Sequence, residues 1–348
     1  MRNALLISSL FMASVSQADQ VDEIVERAIK GQKIPGVAVM VLREGKPIKT
    51  KGYGFANLEH RVPVKPETIF QSGSVGKQFT STLVMMLVEE GKMKLEDPIS
   101  KHFPEAKGAW NGVRLRHLLS HTSGLPDMPY GKMDLRKDYT ETDLVKFMVD
   151  QKPPEKPGEK WRYNNGGYVM LGILVKRVTG KFYGDMLQEK IFKPLGMNTA
   201  RIINEADIIP NRAAGYELGK DGIKNQDWVA PMTNTTADGS LYLSLLDYAK
   251  WDAALYGTKL LKASSRELMW KSTVLNDGKS TPYGFGWGTQ MVGGKRLIDH
   301  GGAWQGFTTY IGRHVDQKIT VVVLTNLNAG RPELIGRSIL QVYVPAKP

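Results

Sequence analysis

The sequence contains no cysteine. That excludes disulfides and thiolate metal sites, and it leaves no thiol to carry a lipoprotein anchor. The apolar run over residues 4–15 is broken by Ser8 and Ser9 and is shorter than the roughly 20 residues a spanning helix needs. Charge of one sign is nowhere concentrated. Lys and Arg number 47 against 35 Asp and Glu, a net charge of +12, yet no five like charges follow one another and no basic stripe alternates with aromatics. The excess therefore reads as dispersed lysines on an exported protein, and no nucleic-acid partner is expected. A G-x-S-x-G elbow is missing, which argues against an α/β-hydrolase. H-E-x-x-H is missing too, which argues against a zinc hydrolase. There is no internal repeat and no low-complexity tract.

What is there begins with Arg2, a short apolar run, and the small residues Ser16 and Ala18. Together they read as a secretory signal over residues 1–18, cleaved after Ala18, with export to the periplasm or the medium and no integral span after cleavage. About 330 residues remain, enough to bury roughly three quarters of the unfolded surface.

Val21, Ile24, Val25, Ala28 and Ile29 recur at helical spacing. Residues 37–42 and 47–55 read as strands around a turn at Glu44, Gly45 and Lys46. Leu83, Met86 and Leu87 mark a helix that fades near Gly91, and a short element begins at 95–98. Residues 113–126 read as a helix stopped by Gly124 and Pro126. Residues 152–158, with three prolines, form a stiff loop. Met170, Leu171, Leu174 and Val178 mark a helix ending at Gly180. Residues 192–197 read as an ordered turn, and 247–255 as a further helix. The last third turns to strands at 283–289, 296–299, 307–312 and 319–325, and 335–342 closes as a helix. Strands thus lie at both chain ends and helices fill the middle. The expected division is a sheet domain of residues 19–70 and 238–348, with a mostly helical region at 71–237.

Ser74 and Lys77 stand three residues apart where a Gly-flanked segment enters a helix, so the hydroxyl and the amine share a face. A serine hydroxyl needs a nearby base to become a nucleophile. A lysine of ordinary pKa, about 10.4, is seldom neutral at pH 7, but burial lowers that value. The helix start adds unpaired N–H groups beside the seryl oxygen. The plain alternative is a helix cap followed by a solvated lysine. His117 and His121 lie four apart without neighbouring acidic or cysteine ligands. They read as loop histidines satisfying backbone groups, and neither metal nor cofactor is expected.

Three motifs stand in order: Ser74-x-x-Lys77, Tyr163-x-Asn165 and His300-x-Gly302, with residues 117–126 (HLLSHTSGLP) and 194–197 (PLGM) between them. The ordered set resembles the serine beta-lactamase and penicillin-binding superfamily, and most of all its branch of class C beta-lactamases, D-alanyl-D-alanine carboxypeptidases and esterases. The resemblance implies an α+β fold: an antiparallel sheet flanked by helices, with an inserted mostly helical region. It also implies roles. Ser74 is the acylated nucleophile and Lys77 its base. Tyr163 shares the proton traffic, as a tyrosinate or through Lys77. Asn165, His300 and Gly302 bind substrate, and the backbone N–H groups of Ser74 and Ala303 form the oxyanion hole.

One departure bears on substrate. Members of this branch carry Lys-Thr-Gly or His-Thr-Gly at the third motif, whereas here His300-Gly301-Gly302 lacks the threonine hydroxyl that would meet a substrate carboxylate. The expectation is a small-molecule or peptide substrate opened at an ester or amide. A beta-lactamase or D-alanyl-D-alanine carboxypeptidase proper is the alternative. A penicillin-binding sensor without turnover is the reading from another class. Oligomeric state stays open.

Overall fold

The structure is a computed structural model, and it describes residues 16–106, 108–202, 207–230 and 236–345. The expected leader, apart from residues 16–18, lies outside the described residues. Ser16 caps the first helix, α1 (Gln17–Gln32), by accepting from Asp19 N–H. The chain then forms a hairpin, β1 (Gly36–Arg43) and β2 (Lys46–Asn57), and the short β3 (Val62–Pro63). Four strands return near the far end: β4 (Gly288–Val292), β5 (Lys295–Trp304), β6 (Phe307–His314) and β7 (Ile319–Thr325). They make one antiparallel sheet in the order β3-β2-β1-β7-β6-β5-β4. The join between the chain ends is β1 on β7, with Val39 opposite Val323.

β1 is apolar on every residue from 36 to 42 because both its faces are buried. Val37, Val39 and Val41 pack with Val21 and Val25 of α1 and with Ile335 and Ile339 of the closing helix, α7 (Pro332–Tyr343). Ala38, Met40 and Leu42 face the other way, into the core shared with Phe79, Trp251 and Leu83. That second core belongs to the helices of the middle: α2 (Lys77–Glu89), α3 (Leu115–Leu119), α4 (Glu141–Val149), α5 (Asn165–Thr179) and α6 (Leu245–Ala254). Among the described residues no helix is long and apolar enough to cross a membrane.

Three elements differ from the expectation. Ser74 lies in a 3₁₀ turn, Gly73–Gly76, and the α-helix begins only at Lys77. The helix expected over 113–126 is confined to α3, because His121 takes a left-handed φ of 60° and turns the chain. Residues 283–287 form a loop before β4. Gly286, at φ 77°, lies so close to α2 that a Cβ there would sit 2.7 Å from the Lys77 carbonyl oxygen.

Candidate active site

The 3₁₀ turn matters for geometry. At three residues per turn, side chains i and i+3 lie one above the other, which brings Lys77 Nζ to 3.1 Å from Ser74 Oγ. The turn is wedged against β5. Gly73 has φ 51°, and a Cβ there would fall 2.5 Å from Ala303 N. A Cβ on Gly302 would fall 2.1 Å from the Ser72 carbonyl oxygen. Thr309 Oγ1 on β6 donates to that same oxygen at 2.6 Å. Ser74 and Ala303 are thereby held on facing backbones.

Lys77 is fully buried. Its amine also donates to Asn165 Oδ1 at 2.8 Å and to the Asp238 carbonyl at 2.5 Å, so three donors meet three acceptors. Burial pulls its pKa down to about 8, against the opposing charges of Asp238 and Asp127. About one Lys77 in ten is then neutral at pH 7, with a lone pair directed at the seryl hydroxyl.

Asn165 opens α5, and Asn164 before it anchors the whole turn. The Asn164 side chain accepts from Gly167 N at 2.6 Å and donates to the Leu125 and Pro126 carbonyls at 2.8 and 3.0 Å. His121 Nδ1 accepts the Asn164 N–H at 3.1 Å, and its ring lies 4.3 Å from that of Tyr163. His117 Nδ1 accepts the Arg114 N–H at 3.1 Å in the same manner. Among the described residues no group of three or more His, Cys, Asp or Glu is placed to hold a metal.

The Tyr163 hydroxyl is buried beside Ser74 without a well-formed hydrogen bond. Lys77 Nζ stands 5.0 Å from the Tyr163 ring centre. Burial raises the phenol far above its ordinary pKa, more than Ser74 lowers it. Burial thus disfavours the charged phenolate.

His300 is buried, and burial first, then the Lys77 charge, pulls its pKa down to about 3. Its Nδ1 lies 2.6 Å from the Gly301 carbonyl, an acceptor only, so Nδ1 carries the proton. Nε2 then accepts from Tyr283 Oη at 2.8 Å. The ring is neutral and both its nitrogens are engaged. Burial and the Lys77 charge thus leave the ring little positive charge to offer a substrate. Gly301 by contrast faces open space, where a Cβ would have only the Thr309 carbonyl at 3.9 Å.

Two acids at this site escaped the motif reading. Asp238 gives its carbonyl to Lys77 and accepts Tyr130 Oη on Oδ2 at 3.0 Å. Asp127 Oδ1 accepts from Gly166 N at 2.7 Å and Met128 N at 2.8 Å. Asp127 directly follows the HTSGLP segment, which was the only signal in the sequence for its place.

A serine and a buried lysine at the head of a helix, set against a strand of an antiparallel sheet, define the class: this fold and site are those of the serine beta-lactamase and penicillin-binding superfamily. The beta-lactamase family model matches residues 21–343, and the chain belongs to that family. Penicillin-binding protein 4* of Bacillus subtilis (strain 168) is 29% identical over 306 residues, covering 83% of this chain and 67% of its own. The chain spans about two thirds of the length of the curated relatives it matches. The solved octameric penicillin-binding protein homologue from Pyrococcus abyssi superposes with a TM-score of 0.83 at 31% identity, over 93% of this chain and 77% of that one. The D-amino acid amidase of Ochrobactrum anthropi SV3 shares the fold, with a TM-score of 0.81 at 24% identity, over 95% and 98% of the two chains.

Proposed function

We propose that the protein is a serine hydrolase that opens an ester or amide through an acyl-enzyme on Ser74. The observation that carries this reading is the buried Lys77 amine 3.1 Å from Ser74 Oγ. Neutral Lys77 takes the hydroxyl proton as Oγ bonds to the substrate carbonyl carbon. The carbonyl oxygen becomes an oxyanion, met by the N–H groups of Ser74 and Ala303. As it re-forms the carbonyl, the bond to the leaving alcohol or amine breaks, and that group receives the proton from Lys77 by way of the neutral Tyr163 hydroxyl. Water then attacks the seryl ester by the same route in reverse and restores Ser74. Asn165 fixes Lys77 through Oδ1 and offers its Nδ2 to the substrate. Gly302 lets the substrate lie against β5.

The neutral His300 and the absent hydroxyl at Gly301 favour an ester or an amide without a leaving-side carboxylate over a penicillin or a D-alanyl-D-alanine peptide. Export with cleavage after Ala18 belongs to the same reading, and N-terminal sequencing of the fractionated protein checks it. The reaction itself is tested with a chromogenic short-chain ester, a D-alanyl-D-alanine peptide and a chromogenic cephalosporin, each given to wild type and to Ser74→Ala. Turnover of the ester by wild type alone is expected. Equal turnover by both proteins contradicts the assignment.

A further inference from the structure

A small cavity lies against the nucleophile helix, and none of its lining residues belongs to the three motifs. Thr82 on α2, Arg266 on the helix Ala263–Met269, Trp270 just after that helix and Trp287 on the loop before β4 all line it. Thr82, Trp270 and Trp287 are 1%, 4% and 0% exposed. Thr82 Oγ1, Arg266 Nε, Trp270 Nε1 and Trp287 Nε1 are each buried, and none of them makes a hydrogen bond among the described residues. The other lining side chains are apolar. Buried donors left unpaired are costly, and four around one cavity point to an occupant that accepts from them.

The donor set decides the chemistry of that occupant. An indole Nε1 and a guanidinium Nε donate and never accept. A water has two lone pairs, so three N–H groups exceed its capacity. Its own two hydrogens would find one acceptor among the four atoms, the Thr82 hydroxyl. A spherical anion takes all four donors and brings no hydrogen of its own. Charge points the same way. Arg266 forms no ion pair among the described residues, and its Nη1 donates to the neutral Gly257 carbonyl. Its guanidinium carbon stands 5.5 Å from the Trp270 ring centre. The nearby acids are already balanced, Asp252 by Arg313 and Glu267 by Arg296. The cavity volume is about 10 Å³, which admits one particle near the size of a water and no polyatomic anion.

We infer that this cavity binds one halide ion, with chloride as its common form, held by the Thr82 hydroxyl, the two indole N–H groups and Arg266 Nε. The ion ties α2 to the helix Ala263–Met269 and to the loop before β4. Trp287 directly follows Gly286, where a Cβ would fall 2.7 Å from the Lys77 carbonyl oxygen, so the site braces the start of α2 from behind. It stands apart from the chemistry of Ser74, and none of its readouts uses hydrolysis.

The test is thermal unfolding of the full chain at constant ionic strength, with sodium chloride exchanged for sodium gluconate, whose anion is too large for the cavity. A ligand of the native state raises Tm as its concentration climbs above Kd. A hundredfold increase in chloride above Kd should raise Tm by about 3–5 °C, and bromide should act as chloride does. Thr82→Val keeps the shape and removes the hydroxyl, and Arg266→Gln removes the charge. Each should shrink the shift by at least half. A crystal grown in bromide should carry an anomalous peak between Trp270 and Trp287, and this result decides if either variant fails to fold. A Tm that ignores the exchange of chloride for gluconate overturns the inference. So does a shift that both variants retain in full, or bromide density that leaves this cavity empty.

Discussion

At the residue scale the proposed reaction turns on the protonation of Lys77. Its pKa is lowered to about 8 by burial, and only the neutral amine can take the seryl proton. For a neutral ester, kcat/KM should therefore rise about tenfold per pH unit between 6 and 7 and level off above 8. A profile flat from pH 6 to 9 would remove Lys77 as the base. Gly301 carries a second prediction. A threonine there has room and restores the hydroxyl that carboxylate-binding relatives possess. A hydrogen bond to a charged group is worth about 1.5–3 kcal/mol. Gly301→Thr should thus raise the ratio of cephalosporin to neutral-ester turnover by at most about a hundredfold. An unchanged ratio would place carboxylate recognition elsewhere. Ser74, Lys77, Tyr163 and Asn165 could be picked out in the sequence because their chemistry demands short, ordered spacings. Asp127 and Asp238 could not, because a loop carboxylate has no spacing rule and reaches the site only through the fold. The neutrality of His300 was hidden for the same reason: it depends on Tyr283 and on burial.

At the element scale the turn into α5 carries both Tyr163 and Asn165. Asn164 caps that helix and ties it to the Leu125 and Pro126 carbonyls. Losing a cap costs about 1 kcal/mol, and each buried carbonyl left unpaired costs about 1–3 kcal/mol. Asn164→Ala should lower stability by about 3 kcal/mol or more in urea denaturation. It should also depress kcat, since Tyr163 and Asn165 flank it. A loss of stability without a change in kcat would mean that the turn keeps its shape by other means. Helix α5 was legible from its apolar spacing and from Gly180, which ends it at φ 75°. The helix expected over 113–126 was too long because the left-handed φ of His121 serves the loop that supports Asn164. That demand comes from tertiary structure, and no local propensity records it. The 3₁₀ form of the Ser74 turn was likewise invisible, since it depends on Gly73 meeting Ala303 across the core.

At the scale of the whole molecule, the two chain ends share one sheet, and the segment between them carries the turn that holds Ser74. The apolar strands and their positions could be read in the sequence, but their pairing could not. β1 on β7 joins residues nearly three hundred positions apart, and nothing in either strand names its partner. The same junction hides an ion pair. Arg313 on β6 and Asp252 on α6 are buried together, with Thr320 Oγ1 donating to Asp252 at 2.7 Å. Asp252→Ala strands a buried guanidinium and should cost about 3–5 kcal/mol, read as a shifted denaturation midpoint. A midpoint equal to wild type would mean that Arg313 finds water. The central claim, that this architecture presents Ser74 as the acylated residue, is tested most directly by the mass of the intact protein and of its peptides after reaction with a fluorophosphonate. One adduct, on the peptide containing Ser74 and missing from Ser74→Ala, is the expected result. An adduct on any other serine, or an adduct that persists in Ser74→Ala, would contradict it.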